Sequence, residues 1–283
     1  MPARAEAQAE LVGAFTWRIE ADWFGGLSGL EFNADGTEML AVGDRGFVIR
    51  ATVKREAGAI SEIIADAPIR LRKGGNKPLT GRSQDAEGIA IAPDGSVYVS
   101  FEMTKLIGRY TAFGQKARIL PPLREFRRLH PNRSLEAVAV DGRGHVYTLP
   151  EEPARANGQL PVYKWDTVRW SVPFTLPRLG LFSPVGADFG PDGRFYLLER
   201  AATSLGFQSR VRSWDLSQGH PQDARTELVS RFRAHGNLEG LTVWRDAEGH
   251  LRLTMIADDN FLFLLRTELV EYRLPLDPAR ERR

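Results

Sequence analysis

Apolar and polar residues along this chain recur in a pattern that is typical of antiparallel β-hairpins. A short alternating apolar segment ends in a turn with Asp-Gly or a related pair, and a second apolar segment follows the turn. Both segments are rich in β-branched and aromatic residues, which favours strands over helices. The segments that carry the pattern are 28–36, 87–95, 136–142, 186–193 and 239–249.

These hairpins recur at a nearly constant spacing. The equivalent positions 28, 87, 136, 186 and 239 are separated by 59, 49, 50 and 53 residues. Such a period fits one four-stranded blade of a β-propeller, whereas a β-sandwich gives no reason for it. We therefore predict an all-β chain that forms a single propeller of five blades. A sixth blade, hidden between Val53 and Asp85, is the alternative.

The two ends of the chain are predicted to meet in the last blade. The fifth repeat lacks a fourth strand, and the segment 10–19 resembles the fourth-strand segment 227–232 of the preceding repeat. Pairing of this N-terminal segment with the last blade would close the ring and cover strand edges. The predicted organisation is a flexible terminus at 1–9, a propeller domain at 10–274, whose last blade is 237–274, and a tail at 275–283.

Composition agrees with a turn-rich globular β protein and excludes several kinds of site. Of 283 residues, 42% are hydrophobic and 26% charged, and there are 27 Gly and 17 Pro. The absence of Cys excludes disulfides, thiolate metal sites and cysteine nucleophiles. A formal net charge of only +2 gives no strong field for nucleic acid. No segment approaches the roughly 18 consecutive apolar residues of a membrane-spanning helix, and we expect a monomer.

The first ten residues bear on the location of the protein. They contain no apolar signal segment, but their run of small residues resembles the region just after a signal-peptide cleavage site. We therefore expect a periplasmic or secreted protein whose export signal has been removed. A frayed cytoplasmic N-terminus is the alternative.

Carboxylates are predicted to gather on one face of the propeller. The first strand of a blade runs from one face to the other and the second returns, so the start of the first strand and the end of the second share a face. The first strand is innermost, and its start therefore lines the mouth of the central channel. Acidic residues near these positions are Glu87, Glu136, Asp188 and Glu239 on first strands, and Asp44, Glu102, Glu151, Glu152, Glu199, Asp258 and Asp259 after second strands.

Such a cluster of like charges is unfavourable unless it is protonated, paired with Arg or bound to a cation. Many oxygen ligands suit a hard cation, and Ca²⁺ accepts six to eight of them in flexible geometry. The alternative is that these acids cap strands and bind backbone amides. The predicted metal ligands are Glu87, Glu136, Asp188, Glu239, Asp258 and Asp259.

Basic residues surround the predicted acidic cluster. Arg45 and Arg200 each directly follow a cluster acid, and the connectors that reach this face contain further arginines and lysines. Acids in the centre with bases around them suggest a small anionic substrate such as a phosphate ester. The alternative is that the basic connectors are solvated loops. Arg45, Arg200 and Asn260 are the predicted substrate-binding residues.

Several short blocks, in order, resemble the recurring motifs of the phytase-like (esterase-like) propeller family. They include 24–30, 42–46, 85–89, 134–138, 195–200, 236–240 and 256–261. The resemblance implies a calcium-associated propeller, often exported by bacteria, in which acidic residues on one face hold calcium ions that bind phosphate and activate water. It implies metal binding by Glu87, Glu136, Glu239, Asp258 and Asp259, with Arg45 and Arg200 as anion ligands.

The functional hypothesis is a calcium-assisted hydrolase in which Glu136 or Glu102 is the base that activates water. Other catalytic signals are weak. The segment 26–30 lacks the last glycine of a G-x-S-x-G elbow, and the five histidines show no ligand spacing. Two alternatives stay open: a non-catalytic propeller that binds a ligand or protein at this face, and a hydrolase similar to sugar lactonases.

Overall fold

The computed structural model describes residues 9–73, 79–153, 158–259 and 265–277. This part of the chain is all-β apart from two short 3₁₀ helices, Gly81–Ser83 and Arg124–Arg128. None of its helices is long and apolar enough to cross a membrane. Its strands are β1 (Glu10–Thr16), β2 (Leu27–Phe32), β3 (Glu38–Gly43), β4 (Phe47–Glu56), β5 (Ala59–Ala65), β6 (Ile69–Arg70), β7 (Arg72–Lys73), β8 (Ala86–Ile91), β9 (Val97–Phe101), β10 (Leu106–Tyr110), β11 (Lys116–Ile119), β12 (Leu135–Val140), β13 (Val146–Pro150), β14 (Gln159–Trp165), β15 (Trp170–Pro177), β16 (Ser183–Phe189), β17 (Phe195–Thr203), β18 (Gly206–Asp215), β19 (Gln222–Val229), β20 (Asn237–Arg245), β21 (Leu251–Asp258) and β22 (Glu268–Arg273).

The strands form five sheets, which are the five blades of a propeller. Blade 1 is β2–β5 with β6 beside β4, blade 2 is β8–β11 with β7 added outside, blade 3 is β12–β15, and blade 4 is β16–β19. Blade 5 is β20, β21, β22 and the N-terminal β1. The innermost strands β2, β8, β12, β16 and β20 each contact the innermost strands of both neighbouring blades, which closes the ring.

The N-terminal strand closes the propeller, which confirms the prediction. Strand β1 pairs antiparallel with β22, from Glu10 opposite Arg273 to Thr16 opposite Glu268. The five-blade prediction is confirmed as well. The described part of the stretch where a sixth blade could have been hidden supplies strands to blades 1 and 2 instead.

Apolar side chains fill the space between neighbouring blades. At the junction of blades 1 and 5, Leu30 and Ile49 pack in one cluster with Trp244, Ile256 and Leu269. Residues alternate in direction along a strand, so each blade offers apolar side chains to both neighbours. Burial of this kind on both faces explains why the inner strands read as almost continuous apolar runs.

Each blade carries a β-bulge between its first and second strands, close to the start of the first. The register shift falls at the same place in every repeat. A bulge re-aims a side chain and is frequent next to functional sites. The residues in the five bulges, from blade 1 to blade 5, are Ser28, Glu87, Glu136, Val185 and Glu239.

A glycine follows the bulge residue in four of the five blades, because the neighbouring inner strand passes too close for a side chain. A Cβ atom on Gly29 would lie 2.5 Å from the carbonyl oxygen of Glu87, and one on Gly88 would lie 2.6 Å from that of Glu136. A Cβ atom on Gly186 would lie 2.5 Å from the carbonyl oxygen of Glu239. These contacts hold the bulge residues of adjacent blades close together around the channel.

Candidate functional site

The two faces of the propeller differ in character. On the face that we call the acidic face, the first strands begin and the second strands end. On the opposite face, the hairpin face, lie the turns between first and second strands. The bulges therefore place Glu87, Glu136 and Glu239 at the acidic face.

Carboxylates of blades 2 and 3 form the densest part of the acidic face. One oxygen from each of Asp85, Glu87 and Glu102 lies within 4.8 Å of the other two, and the same holds for Glu102, Glu136 and Glu151. Glu102 follows strand β9 and belongs to both triplets. The two triplets together form one continuous carboxylate cluster, which we call the blade 2–3 cluster.

Hydrogen bonds fix the orientation of this cluster. The backbone N–H of Ser134 donates to Oε1 of Glu102 at 3.0 Å, and the N–H of Met103 donates to Oδ2 of Asp85 at 3.1 Å. The side chains of Glu136 and Glu102 also share a hydrogen bond, as do those of Glu102 and Asp85. A bond between two carboxyl groups requires a proton, so the cluster is arranged to hold protons or a cation in their place.

Burial and mutual repulsion raise the pKa values of Glu87, Glu102 and Glu136 in this cluster. Burial raises the pKa of Glu102 to about 7. For Glu136, burial and then the charges of Glu87 and Glu102 raise the pKa well above its usual range. Burial, followed by the charges of Glu239 and Asp85, does the same for Glu87. Ionising the whole cluster at neutral pH is therefore unfavourable without a compensating positive charge.

Arg200 neutralises the other side of the acidic face. It reaches from blade 4 to hydrogen-bond Glu239 and Asn237 of blade 5, and its Nη2 atom lies 3.4 Å from Oε1 of Glu151 in blade 3. Burial alone would lower the pKa of Arg200, but Glu239 and Glu151 raise it. Glu239 therefore already has a close cationic partner, whereas in the blade 2–3 cluster only Glu151 forms an ion pair with an arginine among the described residues.

Asp44 of blade 1 extends the cluster. Burial, followed by the charge of Asp85, raises its pKa to about 6, and its Oδ1 atom is buried without a hydrogen-bond partner. A buried, unbonded carboxylate oxygen beside other acids fits an oxygen-coordinated cation. Arg45 and Arg82 lie nearby, since the charge of Arg45 lowers the pKa of Asp44 and that of Arg82 lowers the pKa of Asp85.

The remaining predicted ligands are less closely grouped. Asp258 ends strand β21 with a buried side chain. Asp259 accepts hydrogen bonds from the backbone of Gly26 and from the hydroxyl of Thr267, each at 3.0 Å. It thereby anchors the segment before β2 on the acidic face. Asn260 lies outside the described residues.

The predicted position of Asp188 near the start of its strand was wrong. It is the sixth residue of β16, near the hairpin face, because the strand begins at Ser183. Its Oδ2 atom accepts a hydrogen bond of 2.6 Å from the backbone of Val243. Burial raises its pKa to about 7, and its charge helps to raise that of Glu31. Asp188 thus belongs to a buried pair at the other end of the channel.

Blade 4 contributes no free acid to the acidic face. Its bulge residue is Val185, and Glu199 in β17 is fully buried and bonded to Arg210 and Arg212. Sequence reasoning overlooked Asp85 as a site residue, although it lies two positions before Glu87, and it did not separate Glu151 from Glu152. The structure joins Glu151 to the cluster, whereas Glu152 pairs with Arg133 at the surface.

The central channel is nearly filled just below the acidic face. A cavity of only about 10 Å³ remains there, lined by the bulge-associated residues Gly29, Gly88, Gly186, Glu239 and Gly240. This volume is about enough for one water molecule. A molecule bound at the acidic face would therefore enter and leave from the same side.

Comparison with known proteins found a family model and several solved structures that are similar to this chain. A family model described as "Phytase-like: Esterase-like activity of phytase" matches residues 22–261. No curated protein shows a significant match. Similar solved structures include a virginiamycin B lyase from Staphylococcus aureus, with 15% identity over 96% of this chain and 77% of that chain and a TM-score of 0.44. They also include a PQQ-bound aldose sugar dehydrogenase from Streptomyces coelicolor, with 11% identity over 95% and 100% of the chains and a TM-score of 0.49. The chain belongs to the phytase-like family, because the family model covers most of its length.

Proposed function

We propose that this protein is a metal-assisted hydrolase, with Ca²⁺ as the cation, that cleaves a phosphate or other ester at the acidic face. The observation that carries the proposal is the blade 2–3 cluster, with its two overlapping carboxylate triplets. Asp85, Glu87 and Glu102 would hold the cation, with Glu136 and Glu151 beside them. When bound, the cation would polarise a phosphoryl or carbonyl oxygen of the substrate.

Glu102 has the role of general base in this proposal. It is a member of both triplets, and the N–H of Ser134 fixes one of its oxygens. With the cation beside it Glu102 would be ionised, and the carboxylate oxygen that the cation does not hold would accept the proton from water. Glu136 would position Glu102 through their shared hydrogen bond and complete the oxygen ligands.

The substrate would be small and anionic. Arg45 and Arg82 act electrostatically on cluster acids, and the exposed Arg133 lies on the same rim. Arginine forms paired hydrogen bonds with phosphate or carboxylate oxygens. The closed channel supports a substrate that enters and leaves from the acidic face.

The test is hydrolysis of p-nitrophenyl phosphate and p-nitrophenyl acetate in millimolar Ca²⁺ and after chelation. We expect turnover of one of them that chelator abolishes and that Glu102→Gln lowers by about 100-fold or more, the usual size of a general-base contribution. Glu62→Gln is the matched control, because Glu62 forms an exposed ion pair with Lys54 on the outer strand of blade 1, and it should retain activity.

The other outcomes separate the alternatives. Turnover of lactones but of neither ester would point to a hydrolase similar to sugar lactonases. Calcium-dependent melting without turnover of esters or lactones would contradict the hydrolase and favour a propeller that only binds at this face. Activity that resists chelator and persists in Glu102→Gln would contradict both the cation and the base.

A further inference from the structure

The hairpin face carries a concave basic surface that the proposed hydrolase does not use. Two neighbouring cavities of about 390 and about 630 Å³ lie between blades 2, 3 and 4 and share Pro93, Gly142 and Arg143 in their walls. We call these two cavities the hairpin-face groove. Volumes of this size are typical of sites for small molecules.

Positive side chains outnumber acidic ones in the walls of the groove. They are Arg109, Arg118, Arg143 and Lys164. Of these, Arg109 pairs with Asp94 at 2.6 Å. Across the described parts of the chain, Arg118, Arg143 and Lys164 have no carboxylate partner in an ion pair.

The two acids in the walls are already occupied. Asp94 accepts hydrogen bonds from Ser96 as well as from Arg109. Asp141 accepts from the backbone N–H groups of Arg143 and His145, each at 2.9 Å, and contacts the His145 ring. These bonds stabilise two turns, and the two acids offset only part of the charge of the four cationic side chains. The groove therefore keeps an excess of positive charge.

Aromatic side chains form the apolar part of the groove. Tyr98 and Trp165 line the smaller cavity, and Phe174 and Phe189 line the larger one. Lys164 lies over the ring of Tyr147, with Nζ 5.2 Å from the ring centroid. Apolar walls with a few converging charged groups are the usual composition of a site for an organic ion.

We propose that the hairpin-face groove binds a small organic anion with an apolar or aromatic body. The charged group of the ligand pairs with Arg118 and Arg143, and its body lies against the aromatic wall at Trp165. Arginine suits this role because its planar group bonds carboxylate, sulfonate or phosphate oxygens in pairs. The inference is independent of the proposed hydrolase, since the groove lies on the opposite face and shares no residue with the blade 2–3 cluster.

Calorimetric titration with naphthalene sulfonate tests the proposal, because this anion has an aromatic body and no ester bond to hydrolyse. We expect the parent protein to bind it and Arg118→Gln/Arg143→Gln to bind it at least about tenfold more weakly, as loss of charge-assisted hydrogen bonds predicts. Arg18→Gln/Arg127→Gln is the matched control, with the same change of charge at exposed arginines outside the groove, and should bind like the parent.

Two further probes separate the contributions of charge and of the apolar body. Naphthol lacks the negative charge and inorganic sulfate lacks the apolar body, and each should bind more weakly than naphthalene sulfonate. No binding to the parent at millimolar concentration, or equal binding to both double variants, would overturn the proposal. If naphthol bound as tightly as naphthalene sulfonate, the proposed role of the arginines would be wrong. If sulfate did so, the proposed role of the aromatic wall would be wrong.

Discussion

Three of the five bulge residues are glutamates, and the bulge determines where their carboxyl groups lie. Glu87 and Glu136 belong to the blade 2–3 cluster, whereas Glu239 is bonded to Arg200. Glutamates at the same backbone position therefore have different electrostatic surroundings. Glu239 is paired with an arginine, whereas Glu87 and Glu136 lie among other carboxylates. A cation from solution would therefore bind most favourably beside Glu87 and Glu136.

Glu136→Gln distinguishes a metal ligand from a structural acid. Ca²⁺ should raise the melting temperature of the parent, because a ligand that binds only the folded state stabilises it. The variant should respond less to Ca²⁺. In EDTA it should be as stable as the parent or more so, since one member of a repelling cluster has been neutralised.

Melting curves of both proteins in EDTA and in millimolar Ca²⁺ give the answer. Glu62→Gln is the control, because Glu62 forms only a surface pair with Lys54, and its calcium response should equal that of the parent. An unchanged calcium response in Glu136→Gln would rule this residue out as a ligand, and destabilisation in both buffers would mark it as structural.

At the scale of single residues, the sequence predicted the three bulge glutamates at the acidic face but not all of the side chains that bond to them. Glu87, Glu136 and Glu239 precede the hairpin turns at a recurring position, so counting along the repeat located them. The predicted position of Asp188 was wrong because the repeat alignment matched Gly186 with these glutamates. Gly186 instead corresponds to the glycine that follows the bulge residue in blades 1, 2 and 5. The bonds of Arg200 to Glu239 and Glu151 span 39 and 49 residues and arise only when three blades meet.

At the scale of the strand, the bulge and the following glycine act together. The bulge changes the direction of one side chain, and the glycine lets the neighbouring strand lie against the backbone. Sequence reading found the repeat and the turns from periodicity, and the terminal strand from the missing fourth strand of the last repeat and the likeness of 10–19 to 227–232. It could not find the bulges, because an inserted residue is visible only against the register of the paired strand.

Gly186→Ala tests the close approach of inner strands. The new methyl group would lie 2.5 Å from the carbonyl oxygen of Glu239, so one of the strands must move. We expect the free energy of unfolding to fall by about 1–3 kcal/mol, the range for overpacking in a core. Urea denaturation followed by tryptophan fluorescence measures this change.

Gly142→Ala is the matched control for this substitution. A Cβ atom there would have no neighbour within 4 Å, and the backbone of Gly142 does not have a positive φ. The control should therefore unfold within about 0.5 kcal/mol of the parent, as surface substitutions usually do. Equal stability of Gly186→Ala and the parent would show that the inner strands have more room than the structure gives them.

At the scale of the whole molecule, the acids at both ends of the channel make stability depend on pH. Burial raises the pKa of Glu102 from 4.5 to about 7, and those of Asp44 and Asp188 from 3.8 to about 6 and about 7. Groups with a raised pKa stabilise the fold fully below their unfolded pKa, and the contribution is lost as the pH rises through the folded pKa.

In EDTA, the melting temperature should therefore fall as the pH rises from about 5 to about 8, the window given by the raised pKa values. Ca²⁺ should flatten this dependence, because cation binding favours the ionised carboxylates. Glu102→Gln should show a shallower fall in EDTA than the parent. A melting temperature in EDTA that rises with pH over this window would contradict the raised pKa values of the buried acids.

The closing strand of the last blade also sets the order in which the ring can be completed during synthesis. Strand β1 is made first, but its partner β22 is made last, and the ion pair between Glu10 and Arg273 spans 263 residues. Blades 1 to 4 consist of consecutive strands and can form as they leave the ribosome, whereas β1 must wait unpaired for the final blade. Contacts this distant in sequence slow folding. Before β22 is available the ring can therefore be only an open arc in which β1 lacks its partner, and unpaired strand edges of this kind favour aggregation.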